Sequence, residues 1–244
     1  MPFYADLSEA YDALFPVSDA QREMFDWIRG LGDIRRVADA GCGSGAQLLH
    51  FATAGVSCTG FDPDPALVAL ARQKLAPFPD ARVEVGGFAD TVRLVSPAVD
   101  LLLCLGNSLV HVPQEEAARF LSDAASVLAP GGRLLLQILN YERLFRDGIT
   151  DLPLMRAEEG TVEFRRRYEW EGQREIRFRT SLRIAGGDGP RFFRNDIPLY
   201  PIYPDELWEM LSAAGFSPIR YHGDFGRSEF TPDSEALVCL ARKS

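Results

Sequence analysis

Apolar and polar residues follow two different patterns along the 244-residue chain. Between residues 36 and 139, short apolar runs alternate with segments whose apolar positions recur at helical spacing. This alternation predicts a parallel sheet whose strands are joined by right-handed helical crossovers. Beyond residue 160 the period becomes two, in residues 161–170, 175–184 and 191–199. These stretches predict an antiparallel β-hairpin followed by a third strand.

Both ends of the chain are predicted to pack on the parallel sheet. Residues 1–30 are predicted to be helical with an interrupted start. Apolar residues recur there at helical spacing: Tyr4, Leu7, Tyr11, Leu14 and Phe15. Residues 204–214 predict an amphipathic helix, and residues 217–223 and 235–242 predict two further strands. The predicted fold class is α/β, with a Rossmann-like, seven-stranded, mostly parallel sheet, an antiparallel last strand and an antiparallel β insertion.

A glycine-rich turn, Asp39-Ala-Gly-Cys-Gly-Ser-Gly45, lies between a predicted strand and a predicted helix. Its glycines can adopt backbone angles that side chains forbid, and they let a ligand approach the main chain. Amides at the start of the next helix would point at that ligand. The spacing Gly41-x-Gly43-x-x-Ala46 fits a relaxed dinucleotide fingerprint. The acid followed by Gly-x-Gly-x-Gly resembles the first motif of class I S-adenosylmethionine (SAM)-dependent methyltransferases.

Asp62 ends a short predicted strand beyond this turn. About twenty residues after the glycines, both nucleotide folds place a carboxylate that accepts from the ribose hydroxyls. The alternative is that Asp62 caps a helix over residues 65–75, because Asp and Pro suit the start of a helix. The spacing from the glycines favours the ribose role.

Three further stretches extend the resemblance to class I SAM-dependent methyltransferases over residues 37–139. Residues 82–90 read as a third strand with a polar stop, and residues 99–108 as a buried strand opening into a small polar turn. Residues 128–136 read as a helix end, a Pro-Gly-Gly turn and a fifth strand. Within this class, the run Cys104-Leu-Gly-Asn-Ser108 with His111 resembles the glycine and sarcosine N-methyltransferase branch, as does Asn140-Tyr141.

The resemblance implies SAM as the cofactor. It implies that residues 1–139 and 201–244 form the SAM-binding core, with residues 140–200 as a substrate lid. Asp90 would accept from the adenine amino group, and Tyr11 lies in a segment similar to one that closes over SAM. The implied cofactor-binding residues are Tyr11, Asp39, Gly41, Cys42, Gly43, Gly45, Asp62, Pro63, Phe88, Ala89, Asp90, Leu105, Gly106 and Asn107.

Methyl transfer from a sulfonium mainly requires alignment and exclusion of water, and a general base helps only if the acceptor arrives protonated. His111 is the candidate base, although it could equally cap a helix or pack. The candidate acceptor-site residues are Asn107, His111, Tyr141, Tyr168, Arg194, Tyr200 and Tyr203. Seven arginines of the hairpin could bind anions, but the interleaved acids favour a solvated face with cross-strand ion pairs.

Composition and charge limit the classes of partner and the cellular location to be expected. The formal charge of −9 disfavours a nucleic-acid substrate. No apolar run is long enough to span a membrane, and residues 1–6 do not resemble a signal peptide. The four cysteines lack metal-ligand spacing, so no metal is expected. We therefore expect a cytoplasmic monomer or homodimer that acts on a small molecule.

The predicted function is SAM-dependent methylation of a small-molecule N or O acceptor. One alternative is a SAM- or nucleotide-binding protein without catalysis, since the cofactor motifs would look the same. Another is an NAD-dependent oxidoreductase. The latter is less favoured because lysine occurs only at positions 74 and 243, which leaves no Tyr-x-x-x-Lys pair.

Overall fold

The apolar runs of the first half form five parallel strands in the computed structural model, which describes residues 10–157, 160–186 and 189–244. They are β1 (Arg36–Ala40), β2 (Ser57–Asp62), β3 (Ala81–Val85), β4 (Val99–Cys104) and β5 (Leu128–Leu139). β1 pairs with both β2 and β4, so the chain first builds to one side of β1 and then to the other. Helices cover both faces, and Val37, Leu101 and Leu135 have no exposed surface.

Six helices precede or connect these strands. They are α1 (Tyr11–Leu14), α2 (Asp19–Gly30), α3 (Ala46–Thr53), α4 (Pro65–Leu75), α5 (Thr91–Leu94) and α6 (Gln114–Val127). The predicted break in the N-terminal helix falls between α1 and α2, while Tyr4 and Leu7 lie outside the described residues. Asp64 caps α4 by accepting from the amides of Ala66 and Leu67 at 2.8 and 3.2 Å. The capping role considered for Asp62 therefore belongs to Asp64.

A second, antiparallel sheet follows the parallel half. After α7 (Tyr141–Arg146) come β6 (Met155–Ala157), β7 (Val162–Trp170), β8 (Ile176–Ile184) and β9 (Arg191–Leu199), paired in that order. The alternating pattern predicted β7, β8 and β9. It did not predict β6 or α7, because three and six residues are too few to show a period.

The chain then returns to the parallel sheet through α8 (Pro204–Ala213), β10 (Phe216–His222) and β11 (Ala236–Lys243). β11 lies antiparallel between β5 and β10, which gives the order β10-β11-β5-β4-β1-β2-β3. The predicted fold class is confirmed in both sheets. Within the part of the chain that the structure describes, no helix is long and apolar enough to cross a membrane.

The second sheet packs over the carboxyl-terminal side of the parallel sheet. Tyr168, Ile176 and Leu199 share a buried cluster with residues of β4 and β5. Phe164 and Leu182 pack with Leu14 of α1 in another cluster. The amide of Tyr200 donates to the Val110 carbonyl at 2.8 Å, just beyond the turn that follows β4. The second sheet and α1 therefore adjoin the edge where parallel α/β sheets bind ligands.

Candidate active site

The glycine-rich turn runs from the end of β1 to the start of α3. Gly41, Gly43 and Gly45 have φ values of 79°, 52° and 76°, in the left-handed region that favours glycine. The Gly41 amide donates to the Phe61 carbonyl at 2.9 Å, which attaches the turn to the end of β2. A Cβ atom at Gly43 would lie 2.8 Å from the Tyr11 hydroxyl oxygen. Tyr11 of α1 thus lies directly over the main chain of the turn.

Asp62 joins the turn after β2 to the glycine-rich turn. One carboxylate oxygen accepts from the Gly43 amide and the other from the Asp64 amide, both at 2.9 Å. Each oxygen can accept a further hydrogen bond, so the carboxylate remains able to bind hydroxyl groups. Burial raises the pKa of Asp62, and the two amide hydrogen bonds oppose that shift. Pro63, beside it, is exposed.

Asp39 is a second carboxyl group close to the same turn. It is only 1% exposed at the end of β1. Burial, and to a smaller extent the charge of Asp62, raises the pKa of Asp39 to about 8. Cys42 is also buried, and burial raises the pKa of its thiol. Only the main chain of Cys42 is suited to ligand contact.

Asp90 ends a short 3₁₀ turn, Phe88–Asp90, after β3. Its Oδ2 accepts from the Gly87 amide at 3.0 Å, and its Oδ1 accepts from Arg93 Nη2 at 2.6 Å. The hydrogen bond with Arg93 lowers the pKa of Asp90, and the Gly87 amide adds to that effect. Phe88 packs on Phe120 with ring centroids 4.3 Å apart, while Ala89 is exposed. Asp90 is therefore an ionised acceptor in a fixed position.

The turn after β4 faces the glycine-rich turn. Gly106 and Asn107 both have positive φ, at 67° and 65°. Asn107 Oδ1 accepts from the Leu139 amide at 3.0 Å, and the Gly106 amide donates to Gln137 Oε1 at 3.0 Å. A Cβ atom at Gly41 would lie 2.9 Å from Ser108 Oγ. The turns after β1 and β4 thus meet where the strand order reverses, the position where such sheets bind nucleotides.

Helix α1 is attached to the glycine-rich turn by a small polar network. Asp12 hydrogen-bonds with the Ser44 hydroxyl through Oδ1 and forms an ion pair with Lys74 Nζ, 2.6 Å from its Oδ2. Lys74 Nζ also donates to Ser44 Oγ at 3.1 Å. These contacts connect α1 to the glycine-rich turn and to α4. They hold Tyr11 against the glycine-rich turn.

A cavity of about 410 Å³ lies between α1, the turn after β4 and the second sheet. Tyr11 and Phe15 form one wall, and Gly106, Asn107 and His111 form another. The second sheet contributes Phe164, Arg166, Tyr168 and Phe178. The other lining residues are Leu14, Pro16, Gln21, Ala46, Gln47, Gln137, Leu139 and Leu152. Arg166 is the one charged residue among all of them at neutral pH.

Burial keeps the imidazole of His111 and the hydroxyls of Tyr141 and Tyr168 in their neutral forms at neutral pH. Burial lowers the pKa of His111 to about 4. Burial raises the pKa of Tyr168 to about 12 and raises that of Tyr141 well above its ordinary value. Asn107 Nδ2 donates to the Tyr141 hydroxyl at 2.7 Å, and Tyr141 is hydrogen-bonded in turn with Tyr168. A chain of neutral polar groups therefore joins the turn after β4 to the second sheet.

The structure brings together some of the residues predicted for the acceptor site. Asn107, His111 and Tyr168 line the cavity, and Tyr141 lies buried behind Asn107. Three others do not line it: Arg194, Tyr200 and Tyr203. Arg194 lies on the exposed face of β9, and the Tyr203 hydroxyl donates to the Gln173 carbonyl at 2.9 Å.

Several lining residues escaped the sequence prediction. The clearest is Arg166, which was grouped with the solvated arginines of the hairpin. Its position in the alternation was a usable signal, because Phe164, Arg166 and Tyr168 share one face of β7. No pattern in the sequence indicated that Gln47, Gln137 and Phe178 would line the cavity.

Fold and site together define a nucleotide-binding protein of the α/β class, and comparisons with known proteins indicate which reaction it catalyses. The family model of a methyltransferase domain matches residues 37–132. A glycine/sarcosine N-methyltransferase of Parasynechococcus marenigrum is 25% identical over 95% of this chain and 81% of its own length. The SAM-bound amino pentose methyltransferase from Micromonospora echinaspora involved in calicheamicin biosynthesis is 27% identical. That match has a TM-score of 0.75 and covers 97% and 96% of the two chains.

The CcbJ methyltransferase from Streptomyces caelestis has the same fold over 99% of this chain and 98% of its own, with a TM-score of 0.80 and 24% identity. The chain is a SAM-dependent methyltransferase, and SAM is its cofactor. The predictions of enzyme class and cofactor are confirmed. The oxidoreductase alternative finds no support.

Proposed function

We propose that the protein transfers the methyl group of SAM to an amine nitrogen of a small molecule held in the cavity. The observation behind this proposal is the cavity itself. It adjoins the turn after β4 and is walled by α1 and the second sheet. A partly open cavity of about 410 Å³ fits a small molecule.

The cofactor roles of individual residues form part of the proposal. Asp62 accepts from the ribose hydroxyls, because both of its oxygens are fixed by amides and keep acceptor capacity. Asp90 accepts from the adenine amino group at the end of β3. The main chain of residues 41–45 and of residues 105–107 borders the methionine part of SAM, and Tyr11 closes over it.

Nitrogen is favoured over a hydroxyl oxygen by the protonation states of the lining groups. An alcohol is a good nucleophile only when a base removes its proton. His111, with its low pKa, is a weak base, and Tyr168 keeps its proton at neutral pH. An uncharged amine needs no such base, because it attacks through its own lone pair.

The cavity also favours the uncharged form of an amine. Among the described residues that line it, none is a carboxylate. The sulfonium of SAM places a positive charge beside the acceptor. Nearby charges of like sign disfavour the protonated form and lower the pKa of a bound amine. His111 would then only orient the amine by accepting a hydrogen bond. The glycine/sarcosine relative, whose name states N-methylation, agrees with this acceptor class.

We further propose that residues 140–200 select the acceptor, while residues 1–139 and 201–244 bind SAM. The second sheet supplies four of the cavity-lining residues and none of the groups around the glycine-rich turn. A monomer or homodimer in the cytoplasm remains the expected state.

The experiment is a competition between matched acceptors. The protein is incubated with methyl-labelled SAM and pairs of small molecules that differ only by an amine in place of a hydroxyl, and the labelled products are identified by mass spectrometry. We expect methylation of the amine member of a pair. A protein that binds SAM but labels only the hydroxyl members would contradict the nitrogen assignment. Binding of SAM without transfer to any member would favour the non-catalytic alternative.

A further inference from the structure

Arg166 occupies an unusual position in the second sheet. Alternate residues of β7 face the same side, and the inner set is Val162, Phe164, Arg166, Tyr168 and Trp170. Arg166 is thus a charged residue in an otherwise apolar and aromatic row. Its guanidinium carbon lies 6.0 Å from the centroid of the Phe164 ring. Burial lowers the pKa of Arg166, but an arginine remains charged throughout the physiological range.

The contacts of Arg166 differ from those of Arg177 and Arg179, two arginines on the outer face. Arg179 pairs with Glu169 at 2.8 Å and with Asp196 at 3.3 Å, and Arg177 pairs with Glu171 at 3.2 Å. Arg166 Nη2 donates to the Pro153 carbonyl at 3.0 Å. Among the described residues, no carboxylate lies within ion-pair distance of Arg166, and its buried Nε has no hydrogen-bond partner.

Two more polar side chains continue the row from Arg166 across the sheet. Arg166 pairs in register with Thr180 of β8, and Thr180 pairs with Asn195 of β9. Thr180 is 4% exposed, and its buried Oγ1 has no hydrogen-bond partner in the described structure. The same holds for Nδ2 of Asn195. We call Arg166, Thr180 and Asn195 the donor row, because all three unpartnered atoms can donate.

Buried polar groups are normally paired, so a row of unpaired donors points to a ligand rich in acceptor atoms. A positive charge without a carboxylate partner points to a ligand of negative charge. Carboxylate and phosphate groups meet both conditions, and the planar fork of arginine binds either one. Arg166 and Gly106 line the same cavity, so one molecule could reach both the methyl group and Arg166. Thr180 and Asn195 do not themselves line the cavity but follow Arg166 in register across the sheet.

We infer that the donor row, with Arg166 at the cavity wall, binds an oxyanion of the methyl acceptor, either a carboxylate or a phosphate. The inference rests on the proposed function and specifies its substrate class: a small amine that carries an anionic group. Arg166 acts here as a specificity residue, because it binds the end of the acceptor that does not react.

The first test compares acceptors that share one amine and differ in the distant group, which is a carboxylate, a phosphate or an uncharged amide. We expect the parent protein to prefer one of the anionic members. In Arg166→Gln that preference should fall about ten- to a hundredfold, mainly through KM, because hydrogen bonds to charged groups are lost. Arg166→Lys should restore part of it. Arg179→Gln is the matched control, since Arg179 pairs with Glu169 and Asp196 on the outer face.

Thr180→Val supplies a second variant that keeps side-chain volume. Within the donor row, loss of the hydroxyl should weaken the preference for the anionic acceptor several-fold. If Thr180 is merely an unpaired buried hydroxyl, the valine variant should melt at a higher temperature and keep the preference unchanged. The second outcome would remove Thr180 from the subsite.

A binding measurement separates this inference from the proposed function. Calorimetry with inorganic phosphate and with acetate is performed on the parent and on Arg166→Gln, both saturated with the demethylated cofactor. Tighter binding of phosphate or acetate by the parent supports the oxyanion subsite even if no amine is methylated. The inference is overturned if both proteins bind the two anions alike, or if the parent methylates charged and uncharged amines equally well.

Discussion

The proposed cofactor half and the proposed acceptor half of the site are built in different ways. Around the glycine-rich turn, hydrogen bonds of main-chain amides define the geometry, as in the hydrogen bond from the Gly43 amide to Asp62. Around the cavity, side chains from α1, the turn after β4 and the second sheet converge. Backbone turns on adjacent parallel strands tolerate few changes of structure. Side chains on a separate sheet can change without disturbing the parallel core, so a new acceptor can be accommodated while SAM binding is kept.

The largest expected effect tests the cofactor half alone. Asp62→Ala removes a charged acceptor from two ribose hydroxyls, at roughly 1.5–3 kcal/mol for each hydrogen bond to a charged group. We expect SAM affinity, measured by calorimetry, to fall about ten- to a hundredfold.

Asp64→Ala is the matched control for this change. It removes the cap of α4 and should cost about 1 kcal/mol of stability while leaving SAM affinity nearly unchanged. Equal loss of SAM affinity in both variants would mean that the two carboxylates hold the conformation of the turn and do not bind the ribose directly.

A smaller effect is expected where the two halves are joined. Tyr168→Phe removes the hydroxyl that continues the hydrogen-bonded chain from Asn107 and Tyr141. A single hydrogen bond contributes about 1 kcal/mol, so kcat/KM for the acceptor should fall about fivefold, with SAM affinity within twofold of the parent. Tyr221→Phe makes the same change far from the cavity, where the hydroxyl donates to the Pro204 carbonyl. A larger effect on SAM affinity than on acceptor turnover would show that these hydrogen bonds stabilise the cofactor site instead of the acceptor site.

A separate effect concerns stability and its dependence on pH. The pKa of Asp39 is about 8 in the folded protein, above the value of roughly 3.9 for an unfolded chain. Between these values the folded protein retains a proton that the unfolded chain has lost. The free energy of unfolding therefore decreases as pH rises towards 8, by less than about 1.4 kcal/mol per pH unit.

Asp39→Asn should flatten this slope when denaturation is followed between pH 6 and 9 without SAM. Asp19→Asn, at an exposed position of α2, should leave it unchanged. An identical slope in the parent and in Asp39→Asn would show that Asp39 is already ionised in the folded protein.

The structure brings the residues predicted for the cofactor half close together, and the sequence could place them because its signals are local. The glycine-rich turn, Asp62 and the turn after β4 each follow a strand that an apolar run identifies, and strand order places them together. The alternative considered for Asp62, the cap of α4, is made by Asp64 instead, because Asp62 already accepts from the Gly43 and Asp64 amides. The predicted helix end and turn at residues 128–132 are wrong, since β5 already begins at Leu128.

The acceptor half was predicted only in part, because its residues meet through tertiary packing. Alternation in β7 could have separated Arg166 from the outer arginines. The same alternation in β9 could have placed Arg194 on the outer face. In the structure Arg194 pairs with Ser181, whose side chain faces the opposite side of the sheet from that of Thr180. By contrast, no local pattern indicated that the Tyr203 hydroxyl would bond with Gln173 and lie outside the cavity.

The ion pair between Asp12 and Lys74 has a practical consequence. Lysine occurs only twice in the chain. Lys74 is held between Asp12 and Ser44 as long as α1 contacts the glycine-rich turn. An amine-modifying reagent would reach Lys74 freely only when α1 moves away. The modification rate at Lys74, with Lys243 as an internal reference, would then measure how often α1 moves away from the glycine-rich turn, and how far bound SAM slows that movement.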